Sequence, residues 1–149
     1  MNLFVLRHGK AEQGTPDALR ELRPRGREDV KRVVQARQTE LAGLTAIHSS
    51  PLTRARQTAE LAAEILGFKG AVEECAQIAP WSTPEDFLKT LPDAAGDLLI
   101  ATHQPFCSTL VKHLTGTDLW MPTASLACLN ADPMARGCAE LVWQQNPAD

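Results

Sequence analysis

Two histidines follow apolar runs in this chain of 149 residues. Leu3 to Leu6 is a short unbroken apolar stretch that stops at Arg7, His8 and Gly9, and Asp97 to Thr102 is another that stops at His103, Gln104 and Pro105. Between them, Ser49-Ser50-Pro51 opens a helical pattern that carries Arg54 in its first turn. Backbone N–H groups and the helix dipole already favour an anion there. Two guanidinium groups and two imidazoles are the set a tetrahedral dianion calls for, because phosphoryl transfer rests mainly on positioning and charge stabilisation. One imidazole can also act as a nucleophile and carry the group covalently. The attacking nitrogen must be unprotonated, so the opposite ring N–H is expected to be held by a backbone carbonyl.

For these residues to meet, the apolar runs must be neighbouring strands with their ends on one side. Unbroken apolar runs of this length read as buried parallel strands, and open α/β sheets bind ligands at the carboxyl ends of such strands. Gly9 is expected to allow a sharp exit, with φ > 0 if needed, and to leave room for a ligand. Ala11 to Asp17 reads as a loop near the site. A helix is expected from about Pro24 to about Leu41, with Val30, Val33, Val34 and Leu41 on one face and Arg37 interrupting it. Leu44 to His48 is the second strand, and Ser50 and Pro51 suit the N-cap and first position of a helix that runs to Leu66 and stops at Gly67. Ala71 to Glu74 makes a third strand, Pro84 to Leu91 a short helix, and Pro105 to Leu114 a longer one. Ser125 to Asn130 and Cys138 to Gln144 read as a final antiparallel pair, followed by a frayed tail from Asn146 to Asp149. Strand alternating with helix predicts a three-layer αβα sandwich with a mostly parallel central sheet, built as a single domain over residues 1–149.

Composition narrows the function. The net charge of -3 argues against a nucleic-acid binder. No apolar stretch approaches the roughly 20 residues of a membrane span, and the run after Met1 meets Arg7 too soon for a signal peptide. Cys75, Cys107, Cys128 and Cys138 have no paired spacing, so buried reduced thiols in a cytoplasmic protein are expected. Neither strand-end histidine has a carboxylate cluster beside it, so no metal or other cofactor is expected. His48 and His113 are expected to be structural or surface groups, and Trp81, Trp120 and Trp143 to be packing residues, with Trp81 able to reach the rim of the site.

The motifs R-H-G, S-P-L-x-R-A-x-Q-T and T-H-x-P, in that order after successive strands, resemble those of the histidine phosphatase superfamily, whose relatives include the phosphoglycerate mutases. The short chain and the segment R-E-L-R-P-R-G are most similar to SixA-type phosphohistidine phosphatases. The resemblance implies a phosphoglycerate-mutase-like fold without a large cap insertion, and a metal-independent phosphatase with a covalent phosphohistidine intermediate. It makes His8 the nucleophile, has Arg7, Arg54 and His103 hold the phosphoryl oxygens, and adds Arg20 and Gly9 as substrate-binding residues.

This chain departs from the pattern at Arg23, where the family has Thr or Ser, and at Gln77, where larger relatives keep a general-acid glutamate. Glu73 and Glu74 lie close by and could supply that acid, although both read as solvent-facing. A missing acid matters for expelling an alkoxide and matters less for a phosphoramidate, whose imidazole can already be protonated. The expected substrate is therefore phosphohistidine on a protein partner. The alternatives are a phosphatase or mutase for a small phosphorylated metabolite, and a non-catalytic phosphate-binding module.

Overall fold

The computed structural model describes residues 1–93 and 95–147. Six strands form one sheet: β1 (Asn2–Arg7), β2 (Ala46–Ser49), β3 (Val72–Glu74), β4 (Leu98–Thr102), β5 (Leu126–Asn130) and β6 (Glu140–Gln145). Their spatial order is β3-β2-β4-β1-β5-β6. The first four run parallel, and β5 and β6 continue the sheet as antiparallel partners. The central strands β1 and β4 are buried on both faces, which is why their sequences are apolar without alternation.

Helices cover both faces. On one side α1 (Pro24–Ala36) and α2 (Thr53–Leu66) pack Val30, Val33, Val34, Ala59 and Ala62 against Phe4 and Leu6. On the other, α3 (Pro84–Leu88) and α4 (Phe106–Thr115) pack Phe87, Phe106 and Leu110 against Leu3 and Val5. The expected three-layer αβα sandwich with a mostly parallel sheet is the observed one. Gly67 and Gly116 close α2 and α4 in the left-handed conformation, with φ of 61° and 77°.

Several boundaries differ from expectation. The first long helix ends at Ala36, not near Leu41. Arg37 leaves the helix to sit over the Trp143 ring, its guanidinium carbon 4.1 Å from the centroid, and Leu41 reaches the core through a run of turns instead. Helical spacing from Val34 to Leu41 could not reveal that change. The second helix starts at Thr53 with Leu52 as its cap, so Ser50 and Pro51 lie ahead of it. The short helix after Pro84 stops at Leu88. Asn146, expected to be frayed, accepts a hydrogen bond from the Ser125 hydroxyl at 2.7 Å; residues 148–149 lie outside the described residues.

Candidate active site

Strand register brings the two histidines level. Arg7 pairs with Thr102 across β1 and β4, so His8 and His103 leave adjacent strands side by side. Their ring centroids are 5.0 Å apart at 55°. Ser49 pairs with Ala101 on the far side of β4, which brings Ser50 beside His103 and starts the turn that leads to Arg54. Both imidazoles and Arg54 are buried. The four core residues Arg7, His8, Arg54 and His103 thus share one edge of the sheet.

The His8 ring is held by its own neighbour. Nδ1 lies 2.7 Å from the Gly9 carbonyl, which can only accept, so Nδ1 carries the proton and Nε2 keeps its lone pair. Burial, followed by the nearby cations Arg54, Arg7 and Arg20, pulls the His8 pKa down to about 4 against the upward pull of that hydrogen bond. His103 falls to about 3, through burial and then through His8 and Arg54. Near neutrality both rings are uncharged, as a nucleophilic nitrogen requires.

Gly9 serves this arrangement differently from the way expected. Its φ is not positive, and both its polar groups are used internally, since its N–H donates to Thr58 Oγ1 at 3.2 Å. It has to be glycine because α1 crosses directly over it: a Cβ there would meet the Gly26 carbonyl oxygen at 2.6 Å. Gly9 therefore positions His8 and leaves no group free for substrate. Thr58 is fully buried on α2 and donates in turn to the Arg54 carbonyl at 2.8 Å, which ties the first loop to the helix carrying Arg54. Thr58→Val keeps the shape but strands the Gly9 N–H. It is expected to destabilise the fold by about 1–3 kcal/mol, read as a lower urea midpoint with an unchanged slope. An unchanged midpoint would show that this bond carries no stability.

The arginines are anchored by groups without any motif. Arg7 Nη1 donates to the Met121 carbonyl at 3.0 Å, and its guanidinium lies 5.6 Å from the Trp120 ring centroid. Arg54 gives its Nη1 to the Asp17 carbonyl at 3.0 Å and its Nη2 to the Asp17 carboxylate at 3.2 Å. The other carboxylate oxygen of Asp17 takes Arg20 Nη1 at 2.8 Å, so Asp17 joins the two arginines. Arg20, then Arg54, hold that carboxyl below its usual range. Arg20 Nε is tied to the Glu12 carbonyl at 2.7 Å, and Arg20 lies near enough to depress His8.

Among the described residues, three buried side-chain polar atoms have no partner: Arg7 Nε, His103 Nδ1 and Ser49 Oγ. Buried donors are nearly always satisfied, and two of these exceptions belong to the core set. An oxyanion would supply the missing acceptors.

The carboxylates suggested by position lie elsewhere. Glu73 is exposed and 3.5 Å from His48 Nε2, and Glu74 is exposed and 3.4 Å from Arg56 Nη1. Gln77 is exposed in a single 3-10 turn, Ala76–Ile78, that follows β3. His113 pairs with Glu85 at 3.4 Å on the opposite helical layer. Of the tryptophans, Trp143 packs on Phe4, but Trp120 and Trp81 are 69% and 75% exposed, so neither is the packing residue expected. No helix among the described residues is long and apolar enough to cross a membrane.

Known proteins share this fold. The family model described as histidine phosphatase superfamily (branch 1) matches residues 3–81. No curated protein matches the chain. Among solved structures, the protein histidine phosphatase SixA complexed with tungstate superposes with a TM-score of 0.88 at 22% identity, over 99% of this chain and 97% of that one. The SixA from Agrobacterium tumefaciens, described as a putative phosphohistidine phosphatase, gives 0.82 at 20% identity, covering 98% and 97%. A phosphoserine phosphatase from Entamoeba histolytica, in complex with 3-phosphoglyceric acid, gives 0.70 at 14%, covering 97% and 96%. The matched segment contains β1, α2 and the R-H-G and S-P-L-x-R motifs, and the chain belongs to the histidine phosphatase superfamily.

Proposed function

We propose that this chain is a metal-independent phosphatase that removes the phosphoryl group from phosphohistidine on a protein partner. His8 Nε2 attacks phosphorus, the bond from phosphorus to the substrate imidazole breaks, and that ring, already protonated on its other nitrogen, leaves as neutral imidazole. Water then attacks phospho-His8. The N–P bond breaks, His8 returns to its neutral form with Nδ1 still protonated, and dihydrogen phosphate departs with both water protons. No proton has to move at His8. Arg7, Arg54 and His103 hold the phosphoryl oxygens, and Arg20 acts with Asp17 beside them.

The observation that carries this reading is the His8 ring, uncharged with Nδ1 bound to Gly9 and Nε2 free, set among two arginines and a second neutral histidine. A tetrahedral oxyanion in a similar fold, the tungstate of the SixA structure, is consistent with it. Two features favour a protein phosphoramidate over a sugar phosphate. Asp17, the carboxylate tied to this set, is held ionised by Arg20 and Arg54 and makes a poor proton donor, while Glu73 and Glu74 are engaged with other partners. A leaving imidazole needs no such donor. Leu19, Trp81 and Trp120 are large exposed apolar residues on the β1–α1, β3–α3 and α4–β5 connections, a composition suited to contact with a protein surface.

The expected order of kcat/KM is a histidine-phosphorylated protein first, an aryl phosphate second and sugar phosphates last, with activity surviving exhaustive chelation. Sugar phosphates turned over faster than the phosphoprotein would defeat the proposal in favour of a small-metabolite phosphatase.

A further inference from the structure

Ser50 is fully buried at the turn between β2 and α2. Its Oγ has two neighbours within hydrogen-bond reach: the Leu52 N–H at 3.2 Å, which can only donate, and His103 Nε2 at 2.7 Å. The serine hydroxyl has one proton to give, and among the described residues His103 Nε2 is the acceptor available to it. We infer that Ser50 is a positioning residue for the reaction proposed above: by donating to Nε2 it keeps neutral His103 in the tautomer whose proton is on Nδ1, the atom that presents an N–H to the transferring phosphoryl group.

The opposite tautomer fails the same accounting. If Nε2 carried the proton, Ser50 Oγ would accept twice and its own proton would be stranded in a buried site. Nδ1 would then offer a lone pair where phosphoryl oxygens gather, and the two would repel. Nδ1 is without a partner in either tautomer, but with the proton on Nδ1 the Ser50 proton is satisfied as well and the unpartnered atom is a donor. An oxygen whose negative charge grows during transfer satisfies it, so the bond strengthens as the reaction proceeds and raises kcat more than it lowers KM. The low His103 pKa, caused by burial and then by His8 and Arg54, keeps the ring neutral, so it has one proton to place.

The inference rests on the phosphoryl-transfer reading for its purpose, and its test separates the two. Long-range ¹⁵N–¹H NMR on histidine-labelled protein at neutral pH reads the His103 tautomer directly, and the Nδ1–H form is expected in the unsubstituted chain. In Ser50→Ala the signal should shift toward the Nε2–H form. With N-phosphoimidazole as substrate, kcat should fall at least about tenfold, a part of what one preorganised donor supplies, with KM little changed. Ser50→Thr, which restores a hydroxyl, should recover both. An Nε2–H tautomer in the unsubstituted protein overturns the inference, whether or not Ser50→Ala folds. A Ser50→Ala protein that is merely less stable, with tautomer and kcat unchanged, overturns it too. Absence of turnover on every phosphorylated substrate, alongside an Nδ1–H tautomer, would instead strike the functional reading.

Discussion

Replacing His8 by Ala should abolish turnover and covalent labelling together. In rapidly quenched reactions the unsubstituted protein should show a phosphoenzyme that is labile in acid and stable in base, as a phosphoramidate is, and mapping should place it on His8. The ring has few alternatives. Its Nδ1 proton is committed to Gly9, its Nε2 is free, and burial with three nearby arginines keeps it unprotonated down to about 4. The acid limb of kcat/KM should accordingly lie near 4, far below the 6.5 of an ordinary imidazole. Stability should follow the same sign. Between 6.5 and about 4 the unfolded chain binds protons at His8 and His103 that the folded chain refuses, so the fold weakens as pH falls through that window. A label on Ser49 or Ser50 would show that the nucleophile is misassigned.

Arg54→Ala should lower kcat by on the order of a hundredfold or more, the scale set by removing one preorganised donor to a developing oxyanion. Arg54 is buried and donates two bonds to Asp17, so its plane is fixed before substrate arrives. Lysine should rescue poorly, because an ammonium on a flexible stem can neither make both bonds to Asp17 in one plane nor offer a second edge to phosphate. Arg7→Ala should behave similarly, since Arg7 Nε is a buried donor awaiting an acceptor. A near-normal rate for Arg54→Ala would remove it from the site.

The parts of this molecule legible in its sequence are those where one local rule suffices. Apolar runs ending at Arg7 and Thr102 marked two central strands, because burial on both faces erases the alternation that an exposed strand shows. Gly67 marked a helix end through backbone freedom. The residues that orient the core set were not legible, because each works across the chain. Asp17 reads as an ordinary loop acid until Arg54, far along the sequence, is folded over it. Thr58 reads as a helix residue until Gly9 meets it, and Met121 contributes only a carbonyl. Ser50 was read as a helix cap by its type and by the proline after it; the fold uses the same hydroxyl on His103 instead. Gly26, whose missing side chain lets α1 pass over Gly9 and Lys10, carries no signal that separates it from any surface glycine.

The position of β1 in the middle of the sheet bears on how the chain is made. Leu3 through Leu6 pair with Leu98 to Ala101 on one side and Leu126 to Leu129 on the other, and both partners are synthesised after them. At synthesis rates of about 5–20 residues per second, this strand waits on the order of ten seconds before both partners have been translated. During that interval it is an apolar segment with two open edges, the kind of surface that associates with other nascent chains or holdase chaperones. Destabilising substitutions in β5 should therefore reduce the yield of folded protein made in cells more than they reduce the stability of protein already folded.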